Sequence, residues 1–304
     1  MTDRTDTEAS TGATQHAGEP VGRRLPDALR LGAVQLQVRD LPTSLDYYTT
    51  VLGLRPRRTS DATATLHASD DPAPLVELVE RPDTSPLRAN SRLGLYHFAL
   101  LLPDRASLGR LLAHLTRTGT RVGASDHLVS EALYLHDPDG LGIEVYADRP
   151  RSEWRRVGGQ LAMVSDPLDS ASVLAAAHGE PWTGLPAGTT MGHVHLHVGD
   201  VDAASRFYHD ALGLDRTMWS YPGALFLSAG GYHHHLGVNT WARSAPPASG
   251  RDARLLEWRI VLPTLDDAQA VAGQIASAGH PVEESDGSWR TTDPWGTALR
   301  LTTT

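Results

Sequence analysis

Apolar and polar residues alternate along Ala33-Val34-Gln35-Leu36-Gln37-Val38. Period two predicts a half-buried strand. Asp40 then stands where a helix N-cap belongs. Leu45, Tyr48, Val51 and Leu52 follow at helical spacing, and Gly53 supplies the stop. The pattern returns at His193-Val194-His195-Leu196-His197-Val198, with Asp200, then Ala203, Phe207, Tyr208 and Ala211, then Gly213. The segments "VRDLPTSLDYYTTVLGL" and "VGDVDAASRFYHDALGL" align without a gap. A second pair, "HFALLLPDRASLGRLLAHLTRTG" and "EWRIVLPTLDDAQAVAGQIASAG", closes on the turns and strands "DPDGLGIEVY" and "DPWGTALRLT". Asp-Pro followed by Gly is turn chemistry, because proline fixes φ and glycine takes positive φ.

Four similar units of strand, helix and short closing strands therefore make up the chain. They predict an α+β fold of four βαβββ modules, with curved mixed sheets and helices on the outer face. Val194, Leu196 and Val198 would pack on the helices; His193, His195 and His197 would face the concavity. Read in chain order, residues 1–27 form a disordered tail and residues 28–149 a first domain of modules one and two. Residues 150–190 form a linker with a helix over Ser170 to His178, and residues 191–304 a second domain of modules three and four. A connection of about 40 residues is long enough to be functional or to wrap the domain.

Composition narrows the chemistry. The 304 residues are 40% hydrophobic, with net charge −9 and no cysteine. Two domains fit that length. The acidic balance argues against nucleic acid and anionic membranes as partners. Thiolate catalysis, disulfides, zinc-thiolate sites and iron–sulfur clusters are excluded, so a metal must take nitrogen and oxygen ligands. The polar N-terminal stretch has no apolar segment of the signal-peptide kind, and no run reaches the roughly 20 apolar residues of a membrane span. A cytoplasmic protein is expected.

The layout over roughly residues 31 to 303 resembles the vicinal oxygen chelate superfamily, which includes glyoxalases, bleomycin-binding proteins and type I extradiol dioxygenases. The resemblance implies that paired modules make half-barrels that cup a metal, with ligands on first and last strands. On the repeat alignment His97 corresponds to Glu257, His193 to Ala33, and Glu144 to Arg300. Ligand types thus gather in units two and three, and an arginine at a ligand position repels a cation. Units two and three are expected to form the metal-bearing pair, and units one and four an empty one. Two imidazoles and one carboxylate make a facial triad suited to non-haem Fe(II), with Mn(II) as the alternative. His195 shares the face of His193; the alignment favours His193. Gln35 and Glu77 read as a relic or as surface residues.

The stretch "HLVSEALYLHDPDGLGIE" resembles the type I extradiol dioxygenase signature through His127, Leu133, Tyr134, Asp137, Pro138, Gly140 and Glu144. Ser125 departs from the residues usual two positions before the signature histidine. The signature also sits in the second module rather than the last. With "GLYHFALLLPD" and "GYHHHLGVNTW", the match is to the bacterial catechol 2,3-dioxygenase-like subgroup. It implies Glu144 as the iron ligand, His127 and Tyr134 as hydrogen-bonding groups near the substrate, and an acid/base histidine among His233, His234 and His235; His195, on the face of His193, is expected as a substrate contact. Alignment on Leu236-Gly237-Val238 points to His234, whereas strand alternation puts His233 and His235 in the cavity.

The implied reaction is extradiol cleavage of a catechol-type diol by dioxygen, giving a semialdehyde, in a chain that can form a homo-oligomer. A glyoxalase-like isomerase or lyase, with His235 as fourth ligand, is the first alternative; a non-catalytic binder of aromatic ligands is the second. His67, His114, His136, His178, His209 and His280 read as surface or packing residues. Trp182, Trp219, Trp241, Trp258 and Trp289 read as core or pocket wall.

Overall fold

In a computed structural model, residues 18–20 and 22–303 are described. The strands form two large curled sheets. The first runs in the order Asp215–Met218, Ala224–Ser228, Leu236–Asn239, Thr190–His197, Gly94–Leu101, Gly142–Asp148, Ser130–His136, Gly123–Asp126. It is built from units two and three, joined along an antiparallel seam between Gly94–Leu101 and Thr190–His197. The second sheet has the same order in units one and four, with its seam between Val34–Val38 and Arg254–Val261. Each sheet takes one unit from either side of the division expected between residues 149 and 191. The pairing of units two with three and one with four is the one that ligand asymmetry predicted.

In each module the first strand is flanked by the last strand in parallel, as in Gly94–Leu101 beside Gly142–Asp148 and Thr190–His197 beside Leu236–Asn239. First and last strands are thus central, and their inward side chains converge at the middle of the cup. Their other faces carry Val34, Leu36, Val38, Phe98, Leu100, Val194, Leu196 and Val198, all fully buried in one core. Helices Leu41–Thr50, Arg105–Thr118 and Leu265–Ser277 cover that core. Asp40 accepts from the Thr43 amide at 2.8 Å and Asp200 from the Ala203 amide at 2.7 Å, which satisfies amides of each first turn. The helix after Asp200 runs over Val201–Ser205 and then widens into a π turn, Arg206–Ala211. Among the described residues no helix is long and apolar enough to cross a membrane.

Part of the expected tail belongs to the fold. Residues 1–17 and 21 lie outside the described residues, but Leu25 is buried in the core and its amide donates to the Gly213 carbonyl. Arg23 pairs with Asp267 and Arg24 with Asp215. Polarity misled the composition reading, because one apolar side chain and two ion pairs suffice to dock a short strap. The linker is structured as well. It carries the two-stranded ribbon Arg156–Val157 and Gln160–Leu161 and the helix Ser170–Ala176, and it lays Met163 and Val164 over the mouth of the first cup.

Candidate metal centre

His97, His193 and Glu144 meet at the floor of the first cup. His97 Nε2 lies 3.0 Å and His193 Nε2 3.1 Å from Glu144 Oε2, and the two Nε2 atoms are 3.3 Å apart. All three side chains are buried. Three donor atoms held at about 2.1 Å from one ion stand about 3.0 Å apart when mutually cis in an octahedron, and about 3.4 Å apart in a tetrahedron. Two of the three separations match the octahedral value and the third, between the imidazoles, falls nearer the tetrahedral one, so the donor set fits a single ion in either geometry, and either leaves at least one position open. Among the described residues no fourth His, Asp or Glu joins the group.

Electrostatics favour the ligand forms. Burial pulls both imidazoles below the ordinary histidine value, which keeps their lone pairs free at neutral pH. Burial alone would raise Glu144, but His193 and His97 beside it hold the carboxyl well below its usual range. The second cup shows what replaces this centre. Glu257 there accepts from Arg300 Nε at 2.7 Å, and Glu77 is held by Arg259 at 2.6 and 2.8 Å, with Gln35 on Glu77 at 3.2 Å. Gln35 and Glu77 are therefore members of an ion-pair network that neutralises the cup from within.

Above the triad opens a cavity of about 210 Å³. Tyr96, Tyr221, Phe226 and Trp241 wall it, Met163 and Val164 come from the linker, and Ser125, His127, Tyr134, His195 and His234 complete it. No arginine or lysine is among these residues. Gly237 gives His195 its place, because a Cβ there would press on the imidazole ring.

His127 and Tyr134 act as one unit. The Val164 carbonyl can only accept, so His127 Nδ1, 2.5 Å away, carries hydrogen. In the neutral ring Nε2 is then the acceptor for the Tyr134 hydroxyl at 2.6 Å. Both ring nitrogens of His127 are thereby engaged, and Tyr134 is the member turned toward the triad, its ring 5.6 Å from that of His97. Burial, reinforced by Glu144, raises the Tyr134 hydroxyl well above its ordinary value, so it stays protonated.

His195 is similarly locked. The Trp241 amide donates to Asn239 Oδ1 at 3.1 Å, which orients the carboxamide. Asn239 Nδ2 therefore donates to His195 Nε2 at 3.0 Å, and His195 can offer only Nδ1 elsewhere. His197 faces the same side but lies off the cavity, with Nδ1 donating to Asn239 Oδ1 at 2.7 Å.

The three consecutive histidines separate. His234 lines the cavity, its ring 4.1 Å from that of His193. His233 is turned behind it and is fully buried, with Nε2 2.9 Å from Asp148. His235 points to a different cavity and holds Ser228 Oγ at 2.9 Å; burial lowers it to about 3. The expectation that alternation brings His233 and His235 into the cavity is therefore corrected. The strand begins only at Leu236, and the histidines occupy a bend before it, where period two does not apply. His235 is likewise removed from the role of fourth ligand.

Residues that motif reasoning passed over are Asp148, Tyr146 and Asn239. Glu144, Tyr146 and Asp148 share one face of their strand at spacing two, so parity counted onward from Glu144 had the signal. The Tyr146 ring packs 5.0 Å from His193, and its hydroxyl meets that of Tyr232 at 2.6 Å. Gly192 leaves the room for it, since a Cβ there would collide with that hydroxyl.

The family model described as Glyoxalase/Bleomycin resistance protein/Dioxygenase superfamily matches residues 30–145 and 190–300. A protein from Bacillus subtilis (strain 168) named catechol-2,3-dioxygenase is 46% identical over 268 residues, 87% of this chain and 93% of that protein. Among solved structures, a putative dioxygenase from Bacillus subtilis subsp. subtilis str. 168 superposes with a TM-score of 0.62 at 13% identity, over 92% of this chain and 86% of that one. Glyoxalase I from Zea mays gives 0.54 at 18% identity, over 90% and 92%. These two likenesses bear on the fold alone.

Proposed function

We propose that this protein, which belongs to the Glyoxalase/Bleomycin resistance protein/Dioxygenase superfamily, cleaves the ring of a catechol-type diol next to its hydroxyl pair with dioxygen. The observation that carries the reading is the buried His97–His193–Glu144 triad at the floor of an aromatic cavity, in a chain 46% identical to a catechol-2,3-dioxygenase. The triad would hold Fe(II), or Mn(II) in its place. Bound there, the ion would acidify the diol and bring dioxygen and diol onto one centre.

The chain's own residues do the rest. Tyr96, Tyr221, Phe226 and Trp241 give a flat substrate an apolar slot, to which Met163 and Val164 of the linker add apolar surface. His234 Nε2 takes a hydroxyl proton from the diol and later returns it. Burial, with His193 and His233 nearby, holds His234 well below its ordinary value, so it meets the substrate neutral. Tyr134, its hydrogen held by His127 Nε2, turns its hydroxyl oxygen to the cavity as an acceptor that orients a hydroxyl of the bound diol. The sum of catechol and dioxygen is a ring-opened hydroxymuconic semialdehyde, with no other reactant needed. An isomerase of the glyoxalase kind would want a fourth protein ligand, and His235 is turned away from the triad. A binder without chemistry would not need three converging ligands.

The test uses protein purified without air and loaded with Fe(II) or Mn(II). On adding catechol and air, one dioxygen should disappear per diol and the product mass should equal their sum. No oxygen uptake with either metal sinks the reading.

A further inference from the structure

Behind His234 lies a hydrogen-bonded line that leads away from the cavity. Asp148 Oδ1 is 2.9 Å from His233 Nε2, and His233 Nδ1 is 2.7 Å from His234 Nδ1. Asp148 stands four residues beyond Glu144 on the same strand and the same face, a quarter exposed, while His233 is fully buried. The Tyr232 hydroxyl donates to the same Asp148 oxygen at 3.3 Å, which anchors that carboxylate from a second side. The Tyr232 ring covers His233 at 4.1 Å, and Trp154 packs on it at 5.3 Å.

An ionised carboxylate can only accept, so the His233 nitrogen facing it carries hydrogen. In the neutral ring Nδ1 of His233 is then an acceptor. The facing Nδ1 of His234 must carry the hydrogen between them. The lone pair of His234 is left on Nε2, the atom free of the relay. We propose that Asp148 and His233 are positioning residues that hold His234 in the Nδ1–H tautomer, with the basic Nε2 presented to the substrate. The proposal rests on the reading of His234 as the acid/base group, and it deepens that reading by assigning what selects its reactive nitrogen. Neutral imidazole free in water divides between two tautomers; the relay removes the unproductive one before substrate arrives.

The tautomer is read directly by histidine-selective 15N labelling of the full chain loaded with diamagnetic Zn(II), with the His234 signals assigned by their loss in His234→Gln. The wild type should show a protonated, pyrrole-type Nδ1 and a pyridine-type Nε2 at His234. Asp148→Ala should convert that pattern to a mixture, and Asp148→Asn, whose amide oxygen still accepts from His233, should largely restore it. In the Fe(II)-loaded protein Asp148→Ala should lower kcat by roughly 10-fold or more, within the range of a positioned acid/base. KM for catechol and metal content should stay within about 2-fold, since neither ligand nor wall is touched. A wild-type His234 carrying its proton on Nε2 overturns the proposal, and so does an identical 15N pattern in wild type and Asp148→Ala. The spectra need no turnover, so a wild type inactive on catechol would strike the ring-cleavage reading and leave the relay to be judged by its own signals.

Discussion

Tyr48 on the helix of unit one donates its hydroxyl to Asp137 Oδ2 in the turn of unit two, at 3.1 Å, in the core between the two sheets. Its counterpart, Tyr208 of unit three, donates to Asp293 of unit four at 2.9 Å. Each aspartate opens an Asp-Pro-x-Gly turn whose own carboxylate accepts two backbone amides, and each turn closes on a glycine at positive φ, Gly140 or Gly296. Modules consecutive in the chain, which belong to different sheets, are thus fastened by a tyrosine to the turn that leads into the neighbour's last strand. In unit two that strand carries Glu144.

Asp137 makes stability depend on pH. Burial, with Asp139 beside it, raises its carboxyl from 3.8 to about 7. Between about pH 4 and pH 7 the folded chain keeps a proton that the unfolded chain has released, so folding takes up a proton and stability falls as pH rises. Asp137→Asn should flatten that part of a Tm-against-pH curve. A slope unchanged by the substitution would place the titration elsewhere.

Glu144→Ala should abolish tight metal binding, because it removes the anion of a three-ligand set. Tyr134→Phe should retain the metal and slow turnover by roughly 10- to 100-fold, the usual effect of groups that tune rather than hold a metal. Metal analysis after exhaustive dialysis, beside steady-state rates, distinguishes the two; equal metal loss in both variants contradicts the roles assigned.

His234→Phe should leave metal content intact and lower kcat by roughly 10² to 10⁴. His235→Phe should leave both metal and turnover near wild type, since that ring belongs to another cavity. Loss of metal from His235→Phe would bring the fourth-ligand reading back.

The protein should bind one metal ion per chain. Arg300→Ala in the second cup should not change that stoichiometry, and should lower stability by about 1–2 kcal/mol. The cost is modest because Glu257 retains Arg259 and Arg290 within 3.5 Å. Two ions per chain, by elemental analysis against protein concentration, would refute the assignment of an empty cup.

The four modules and the three candidate metal-binding residues are legible in the linear pattern. Strand alternation, Asp caps and Asp-Pro-x-Gly turns are local, and the gapless alignments put His97, His193 and Glu144 opposite Glu257, Ala33 and Arg300. Since charge at equivalent positions decides which cup can hold a cation, even the pairing of units two and three was legible. The remainder lies where local rules stop. His233, His234 and His235 sit in a bend before their strand, so no period ranks them; one lines the cavity above the triad, one lies behind it and one faces another cavity. The His234 partner, Asp148, is 85 residues distant from the His233 that links them. Leu25 and Met163 come from segments that composition marked as tail and linker, and they acquire roles because the two sheets leave an edge and a mouth to be covered. Those are matters of proximity across the fold, set by packing, and a linear pattern does not carry them.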